Sequence, residues 1–217
     1  GQGQAPPSYT VCDANGGYVL PGFIDLHVHG AVACDTMDAS LINLQKMSRF
    51  FAEHGVTSYL PTTLTDSSDA TTRALETIQI AMTELQGGAR ILGAHLEGPY
   101  LHPNQSGAQN KEYIRPIDRE EFTRWLNLDV MRLVSVAPEQ EDIDWLIEMC
   151  RQHGVTVSAA HTTATYEQAQ HAIVKGLSHS THTYNAMPKL HHRHPGALAA
   201  LMMDDRVNCE LIADNIH

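Results

Sequence analysis

Two histidines, His27 and His29, stand two residues apart at the end of the first apolar run of the chain. Side chains at positions i and i+2 of a strand lie on the same face, so both imidazoles are expected to point the same way. Two imidazoles on one face at a strand end can bind one divalent cation. A pair of hydrogen-bonded core histidines is the alternative for so short a motif.

Three later apolar runs also end on a carboxylate or an imidazole. Glu97 follows the run 90–96, where a carboxylate without a counter-charge is costly, so a metal ion or an arginine is expected beside it. His161 and His182 close two further runs. His179 lies three residues before His182, so on a strand it faces the other side and is expected to be a packing or surface residue.

Neutral imidazole with carboxylate is the ligand set of Zn²⁺ or another first-row divalent ion. A metal held by three protein ligands keeps a coordination position open for water, whose pKa then falls towards ~7. The strand ends together therefore predict metal-assisted hydrolysis.

Seven apolar runs alternate with longer amphipathic stretches and would position these side chains. The runs are short, continuous and often β-branched, which is typical of buried parallel strands. They span residues 22–26, 57–61, 90–96, 131–137, 155–160, 178–183 and 208–213.

The stretches between the runs predict five amphipathic helices. The segments Asp38-Ala-Ser-Leu and Asp66-Ser-Ser open the first two, Asp118-Arg-Glu-Glu caps a short third, and apolar stripes over 143–150 and 169–173 indicate two more. Alternating strands and helices predict a parallel sheet covered by helices. A doubly wound sheet and a (β/α)8 barrel both fit this rhythm, with the strand ends as the place for a ligand.

The composition limits the class of protein. The 217 residues are 42% hydrophobic and 18% charged, which is typical of a globular domain. A net charge of -11, from 14 basic and 25 acidic residues, disfavours a nucleic-acid partner. No apolar run reaches the ~18 residues of a membrane span, and the first 20 residues lack the pattern of a signal peptide. The four cysteines form no CxxC pair, which favours reduced thiols in a cytoplasmic protein.

These residues resemble the amidohydrolase superfamily and, within it, the N-acetylglucosamine-6-phosphate deacetylases. The segments His95-Leu-Glu-Gly-Pro and Thr181-His-Thr-Tyr-Asn-Ala-Met are specific, whereas HxH is shared across the superfamily. The resemblance implies a (β/α)8 barrel in residues 21–217 and a partial β-sandwich segment in residues 1–20. The matching segments are 21–30, 95–100, 107–110, 160–162, 181–187, 193–196 and 212–217.

The resemblance also implies a reaction and its ligands. It implies hydrolysis of the N-acetyl group of N-acetylglucosamine 6-phosphate, giving glucosamine 6-phosphate and acetate, in a homodimer. Glu97, His161 and His182 would hold the principal divalent metal, most simply Zn²⁺ with Fe²⁺ as an alternative. His27 and His29 would hold a second ion. The residues implied to contact substrate are Ala108, Gln109, Asn185, Ala186, Arg193 and His217. Arg193 would meet the 6-phosphate, in its own site or in that of a neighbouring subunit. His217 would bind the sugar or polarise the acetyl carbonyl.

Three features separate this chain from the family pattern. Gln109 stands where the family often has histidine, which puts one substrate contact in question, and Asn215 replaces a usual glycine. The glycine-rich stretch that usually follows HxH reads Ala31-Val-Ala. Residues 135–138 offer no lysine, which disfavours the subfamilies with a carboxylated lysine.

The family's catalytic aspartate and its eighth strand would follow His217, and Asp214 is expected only to fix its own loop. We therefore expect the chain to be part of a longer polypeptide or to be completed by a second chain. The alternative functions are deacetylation of N-acetylgalactosamine 6-phosphate, and an inactive protein that binds metal or sugar phosphate.

Overall fold

The computed structural model describes residues 12–217. Of the predicted accessory segment 1–20, residues 1–11 lie outside the described residues. Residues 12–20 are exposed and form a turn without a strand. The domain boundary at residue 20 therefore stays a prediction.

Strands and helices alternate along the described residues. The strands are β1 (Phe23–Val28), β2 (Gly30–Ala31), β3 (Cys34–Asp35), β4 (Val56–Pro61), β5 (Arg90–Ile91), β6 (Ala94–Glu97), β7 (Met131–Val136), β8 (Thr156–Ala159), β9 (His179–Ser180) and β10 (Asn208–Cys209). The helices are α1 (Leu41–Glu53), α2 (Ser68–Glu84), α3 (Arg119–Leu126), α4 (Ile143–Gln152), α5 (Tyr166–Lys175) and α6 (Gly196–Met203).

Parallel pairing builds a partial barrel. One sheet has the order β1-β4-β5, the other the order β6-β7-β8-β9-β10, and a parallel bridge from Thr62 to His95 joins them. The strand order therefore follows the chain around the barrel, with β2 and β3 as a separate antiparallel hairpin. This confirms the barrel and excludes the doubly wound sheet, whose strand order would reverse.

The partial barrel has an open side. Within residues 12–217, β1 and β10 do not pair with each other. Phe23 and Ile24 of β1 are 76% and 59% exposed, although their type is that of a barrel core. A cavity of 620 Å³ lies along this side, bounded by β1, Val56, His182 and residues 210–213. Two edge strands and an apolar face thus remain uncovered by the described residues.

The predicted strand 90–96 is wrong as a single element. Its first part, β5, pairs with β4, and its second part, β6, pairs with β7. Gly93 separates the two with φ 154, and a Cβ there would lie 2.6 Å from the carbonyl oxygen of Val130. Only glycine allows this close passage between neighbouring strands. The strands predicted at 178–183 and 208–213 are confirmed in position but shorter, as β9 and β10.

Local sequence accounts for most of the helices. The side chains of Ser40, Ser67 and Asp118 each accept a hydrogen bond from a backbone N–H of the first turn, which fixes the starts of α1, α2 and α3. The five predicted helices are confirmed, and α6 was missed because its run Gly-Ala-Leu-Ala-Ala-Leu-Met-Met has no polar face. None of the helices in residues 12–217 is long and apolar enough to cross a membrane.

Buried polar side chains cross the barrel interior as a hydrogen-bonded chain. Nδ1 of His95 lies 3.0 Å from the carbonyl oxygen of Leu26, and Nε2 lies 2.7 Å from Oγ of Ser135. The hydroxyls of Ser135 and Ser158 each lie 2.6 Å from Oγ1 of Thr181. The chain links β1, β6, β7 and β8 to the residue that follows β9.

The donors in this chain all run one way. Burial, reinforced by the neighbouring His27, lowers the pKa of His95 to about 3, so the imidazole is neutral. A carbonyl only accepts, so Nδ1 carries the proton and Nε2 accepts from Ser135. Ser135 then accepts from Thr181, and Thr181 accepts from Ser158. Ser135 and Thr181 therefore each donate one hydrogen bond and accept one, and Ser158 is the first donor of the chain.

The thiol of Cys150 gives a test of the packing of α4 on the barrel. Cys150 is fully buried, and burial raises its pKa to about 12. At pH 8 only about one thiol in ten thousand is then ionised, so we expect iodoacetamide to leave it unmodified until the protein unfolds. The exposed Cys12 is the internal control, and peptide mass spectrometry reports both. Equal labelling of the two thiols in the folded protein would contradict this packing.

Candidate metal centre

The buried carboxylate of Glu97 is the centre of the site, with a side chain that is 1% exposed. Its Oε1 lies 3.0 Å from Nε2 of His161 and 3.1 Å from Nε2 of His182. Its Oε2 lies 3.0 Å from Nε2 of His29 and 3.4 Å from Nε2 of His27. Each carboxylate oxygen therefore faces one pair of imidazoles.

The barrel strands bring these side chains together. Glu97 is the last residue of β6, and His27 lies near the end of β1 with His29 just after it. His161 follows β8 and His182 follows β9. All of them lie at the carboxyl end of the parallel strands, where barrel enzymes carry their active sites. His179 lies on β9, half-buried beside Ser178, away from this cluster.

Backbone carbonyls orient two of the rings. Nδ1 of His161 lies 2.7 Å from the carbonyl oxygen of Gln105, and Nδ1 of His29 lies 3.2 Å from that of Thr62. A carbonyl only accepts, so both Nδ1 atoms carry a proton, and in the neutral imidazole that binds a metal the Nε2 lone pair faces the cluster. Nδ1 of His182 is buried and has no hydrogen-bond partner among the described residues.

The donor set fits divalent cations. Glu97 forms one group with His161 and His182 and another with His27 and His29, and in each group the ligand atoms lie within 4.8 Å of one another. The Nε2 atoms of His161 and His182 are 3.2 Å apart, and lone pairs at that distance repel unless a cation or a proton lies between them. Imidazole nitrogens around a shared carboxylate are ligands for zinc and its first-row neighbours.

The backbone at two of these residues is strained. His161 has φ 44 and His182 has φ 33, in the left-handed region that residues with a Cβ rarely adopt. Such a conformation costs on the order of 1–3 kcal/mol and persists where the surrounding structure enforces it. Both strands thus turn sharply at the residue that points into the cluster.

Charge in the cluster is concentrated on Glu97 and His27. Burial acts to raise the pKa of Glu97, but hydrogen bonds from His161, His182, His27 and His29 outweigh it and hold the pKa well below its usual range. Burial acts to lower the pKa of His27, but the carboxylates of Glu210 and Glu97 outweigh it and raise the pKa to about 9. In the metal-free protein the carboxylate is therefore ionised and His27 is protonated at pH 7.

The loop of residues 98–116 closes over the carboxylate. The guanidinium of Arg115 binds both carboxylate oxygens of Glu121, at 3.1 and 2.9 Å, and anchors this loop to α3. Gly98 begins the loop with φ 75, and a Cβ there would lie 2.1 Å from Oγ1 of Thr65. Gln109, which was predicted to contact substrate, is 5% exposed and lies against Glu97.

The other predicted substrate residues are not among the metal-ligating groups. Ala108 is exposed, and Ala186 lies close to Gly107, whose added Cβ would be 3.9 Å from Cβ of Ala186. The side-chain amide of Asn185 donates to the carbonyl of His182 at 3.2 Å. Arg193 is exposed on the loop before α6.

His217 lies apart from the metal ligands, with Nδ1 2.9 Å from Oδ2 of Asp214. Hydrogen bonds from the backbone and side chain of His217 and the backbone of Ile216 lower the pKa of Asp214 to about 2. Asp214 thus fixes its own loop, as expected, and Asn215 takes the left-handed backbone with φ 62.

Sequence reasoning missed two contributors to this site. Glu210 lies 3.9 Å from Nδ1 of His27, and one of its carboxylate oxygens is buried without a partner among residues 12–217. The carbonyl of Gln105 orients His161. Glu210 lies inside the run 208–213 and so carries a signal, since a carboxylate within an apolar run needs a partner, whereas a backbone carbonyl has no signature in the sequence.

Comparisons with known proteins agree with this geometry. The profile of the Amidohydrolase family matches residues 18–217. The chain is 41% identical over 204 residues to the N-acetylglucosamine-6-phosphate deacetylase of Bacillus subtilis (strain 168), which covers 92% of this chain and 52% of the relative. It is 37% identical over 214 residues to the N-acetylgalactosamine-6-phosphate deacetylase of Escherichia coli O157:H7, which covers 98% of this chain and 56% of the relative.

Solved structures show the same fold. The N-acetyl-D-glucosamine-6-phosphate deacetylase of Mycobacterium smegmatis superimposes with a TM-score of 0.90 at 30% identity, over 99% of this chain and 56% of that one. A mutant of that enzyme in complex with N-acetyl-D-glucosamine-6-phosphate superimposes with a TM-score of 0.86 at 31% identity, over 91% of this chain and 51% of that one. The chain thus spans about half the length of the curated relatives it matches, 52% in the Bacillus enzyme.

Replacement of Glu97 tests the convergence of the two ligand groups. Because both groups share this carboxylate, we expect Glu97→Gln to weaken binding of Zn²⁺ at both sites by more than about 100-fold. Loss of a residue that only supports a ligand costs up to about 100-fold, and loss of a ligand itself should cost more. Metal analysis after dialysis against a buffered Zn²⁺ concentration measures this. The matched control is Glu148→Gln on the surface of α4, where the carboxylate binds Arg151. Unchanged zinc content in Glu97→Gln would contradict the assignment.

The raised pKa of His27 predicts a proton release. Only neutral imidazole binds a metal, so uptake beside His27 at pH 7 should release about one proton, and affinity there should rise with pH towards 9. Calorimetric titration in two buffers of different ionisation enthalpy measures the proton count. The variant His27→Asn should lose the release, and a wild-type protein that releases no proton at pH 7 would refute the prediction.

Proposed function

Because the chain belongs to the amidohydrolase family, we propose that the whole protein hydrolyses the N-acetyl group of N-acetylglucosamine 6-phosphate to glucosamine 6-phosphate and acetate. The observation that carries the proposal is the buried Glu97 carboxylate, shared by two histidine pairs at the carboxyl end of the barrel. The names of the relatives supply the substrate class, and the ligand geometry supplies the reaction class.

The ligands for the metal follow from the cluster. We assign Glu97, His161 and His182 to a principal ion and His27 with His29 to a second one, with Zn²⁺ as the ion that imidazole and carboxylate favour. A bound divalent ion supplies Lewis acidity, which polarises the acetamide carbonyl and makes a water molecule nucleophilic near neutral pH.

The protein groups around the ligands hold them in one orientation. The carbonyls of Gln105 and Thr62 keep the protons of His161 and His29 on Nδ1, away from the reacting groups. Glu97 stays ionised, because the hydrogen bonds that reach it outweigh its burial. The chain's own residues therefore present a fixed set of lone pairs, which avoids reorganisation during the reaction.

A further carboxylate must move the proton from water to the leaving amine. Within residues 12–217, Glu97 is committed to the imidazoles, Glu210 faces the protonated His27, and Asp214 is committed to its own loop. We assign the role to an aspartate in a segment beyond these 217 residues, on an eighth strand that fills the open side between β1 and β10. The exposed apolar face of β1 supports that placement.

Substrate contacts are proposed for the rim of the site. Ala108, Asn185 and Ala186 lie beside the ligand turns, and His217 lies on the loop that follows β10. Arg193, exposed and followed by α6, offers a planar guanidinium suited to phosphate oxygens. We propose that it meets the 6-phosphate, in its own site or in that of a second copy in a homodimer.

The four unpaired cysteines, Cys12 among them, support a cytoplasmic location.

The galactosamine epimer is the second candidate substrate, favoured by the similarity to the Escherichia coli N-acetylgalactosamine-6-phosphate deacetylase. The two sugars differ only at one hydroxyl, so the metal ligands serve both equally. Parallel kinetics on the two sugar phosphates with the whole protein separate them, and we expect the larger kcat/KM for the glucosamine derivative.

Acetate release from N-acetylglucosamine 6-phosphate by the whole protein tests the activity. We expect Glu97→Gln to lower kcat/KM by about a thousandfold or more, because Lewis-acid activation contributes several kcal/mol. The control Glu148→Gln should match the wild type. A whole protein that binds Zn²⁺ and sugar phosphate but releases no acetate would favour a binding function and overturn the enzymatic one.

A further inference from the structure

Gln109, on the loop that follows β6, contacts the metal-binding carboxylate. Its Nε2 donates to Oε2 of Glu97 at 2.8 Å, and its Oε1 accepts from the backbone N–H of Thr65 at 2.7 Å. Thr65 N–H can only donate and the carboxylate can only accept, so the amide has one possible orientation. Both polar ends of a side chain that is 5% exposed are therefore occupied by protein groups.

We propose that Gln109 is a positioning residue for the metal centre: its amide holds the Glu97 carboxylate so that Oε1 faces His161 and His182 while Oε2 faces His27 and His29. The inference rests on the metal centre proposed above and is independent of which sugar phosphate is hydrolysed.

The contacts of Glu97 support this role. Among the described residues, Gln109 is the one side chain other than the four imidazoles that contacts either carboxylate oxygen. The imidazoles bind the ions and cannot also fix the plane of the carboxylate. A hydrogen bond to Oε2 restrains rotation about the last side-chain bond, and that rotation decides which oxygen each histidine pair meets.

The loop that carries Gln109 is anchored independently of the metal. Arg115 binds the carboxylate of Glu121 and donates to the carbonyl of Asp66 at 3.1 Å. The backbone N–H of Gln109 donates to the carbonyl of Ser106 at 2.8 Å. The amide is therefore held in place by the scaffold before any ion binds, which is what a preorganised support requires.

A neutral donor suits this position better than a charged one. An arginine or lysine here would hydrogen-bond the carboxylate but would also neutralise it and repel the cations. An amide supplies the N–H without charge, so the full negative charge of Glu97 remains for the metal ions.

The burial of Gln109 also separates its role from that of its neighbour. Ala108 is exposed towards the rim, whereas the next side chain turns inward to Glu97. At 5% exposure the amide of Gln109 offers a substrate little surface, and loss of either hydrogen bond would leave a buried polar group unpaired at a cost of about 1–3 kcal/mol.

Zinc binding by the whole protein tests the proposal with Gln109→Met, which keeps the length of the side chain and removes both hydrogen bonds. Because each histidine pair needs one oxygen of the Glu97 carboxylate in place, we expect both sites to bind Zn²⁺ about 10- to 100-fold more weakly. Chelator competition measures both affinities. The variants His29→Asn and His182→Asn identify which binding step belongs to which site.

The matched control is Gln140→Met. Gln140 donates to the carbonyl of Leu101 at 3.1 Å, so it supports the same loop without touching Glu97. It should leave both affinities as in the wild type. Should Gln109→Met unfold on heating far below the wild type, Gln109→Asn keeps an amide but is too short to span Thr65 and Glu97, and it should weaken both sites in the same way.

The outcomes are distinct. Weakening of both sites in Gln109→Met, with wild-type affinities in Gln140→Met, supports the proposal. The same weakening in Gln140→Met would assign Gln109 to general support of the loop and overturn it, as would unchanged affinities, or weakening of one site alone, in Gln109→Met. A wild-type protein that binds no Zn²⁺ would refute the metal centre itself, whatever Gln109 does.

Discussion

The buried carboxylate of Glu97 is the constraint on which the rest of the site depends. An isolated ionised carboxylate is very costly inside a protein, and this one has no arginine or lysine beside it. Four imidazoles from three strand ends and one neutral amide surround it instead. Such a shell suits a site that exchanges protons for metal ions, because imidazoles can release their protons and remain as ligands.

The barrel supplies the precision that this arrangement needs. Parallel strands place their carboxyl ends side by side, so residues far apart in the sequence meet within a few ångströms. The positive φ angles of His161 and His182 show that the chain accepts local strain to aim these rings. The loop over Glu97 is held by the Arg115–Glu121 ion pair, so the loop that supports the ligands has an anchor of its own outside the cluster.

Most of the barrel could be predicted from the sequence because its signals are local. Caps such as Ser67 and Asp118 and the apolar stripe of α4 act within a few residues. The strand ends carried the metal ligands, since a carboxylate or imidazole after an apolar run is itself an anomaly. Helix α6 was not predicted because it is apolar on every side. The break between β5 and β6 at Gly93 was not predicted because it depends on the neighbouring strand.

The supports of the site were less visible than its ligands. From the sequence, Gln109 was implied only as a substrate contact, and only the fold brings it against Glu97, twelve positions earlier, and against Thr65 on a different loop. The carbonyl partners of His161 and His29 have no sequence signature at all. The metal-binding residues could thus be predicted from their residue types. The groups that orient them could be identified only from their positions in the structure.

The one-way run of hydroxyls from Ser158 to His95 makes the barrel's interior layer a single unit. Each member of this chain forms hydrogen bonds with its neighbours. Loss of the Ser135 hydroxyl would therefore leave Nε2 of His95 without its donor and the hydroxyl of Thr181 without its acceptor. An apolar core accepts single substitutions of similar size, whereas each single substitution in this chain leaves a buried polar group unpaired. Its residues must therefore be kept, or replaced, together.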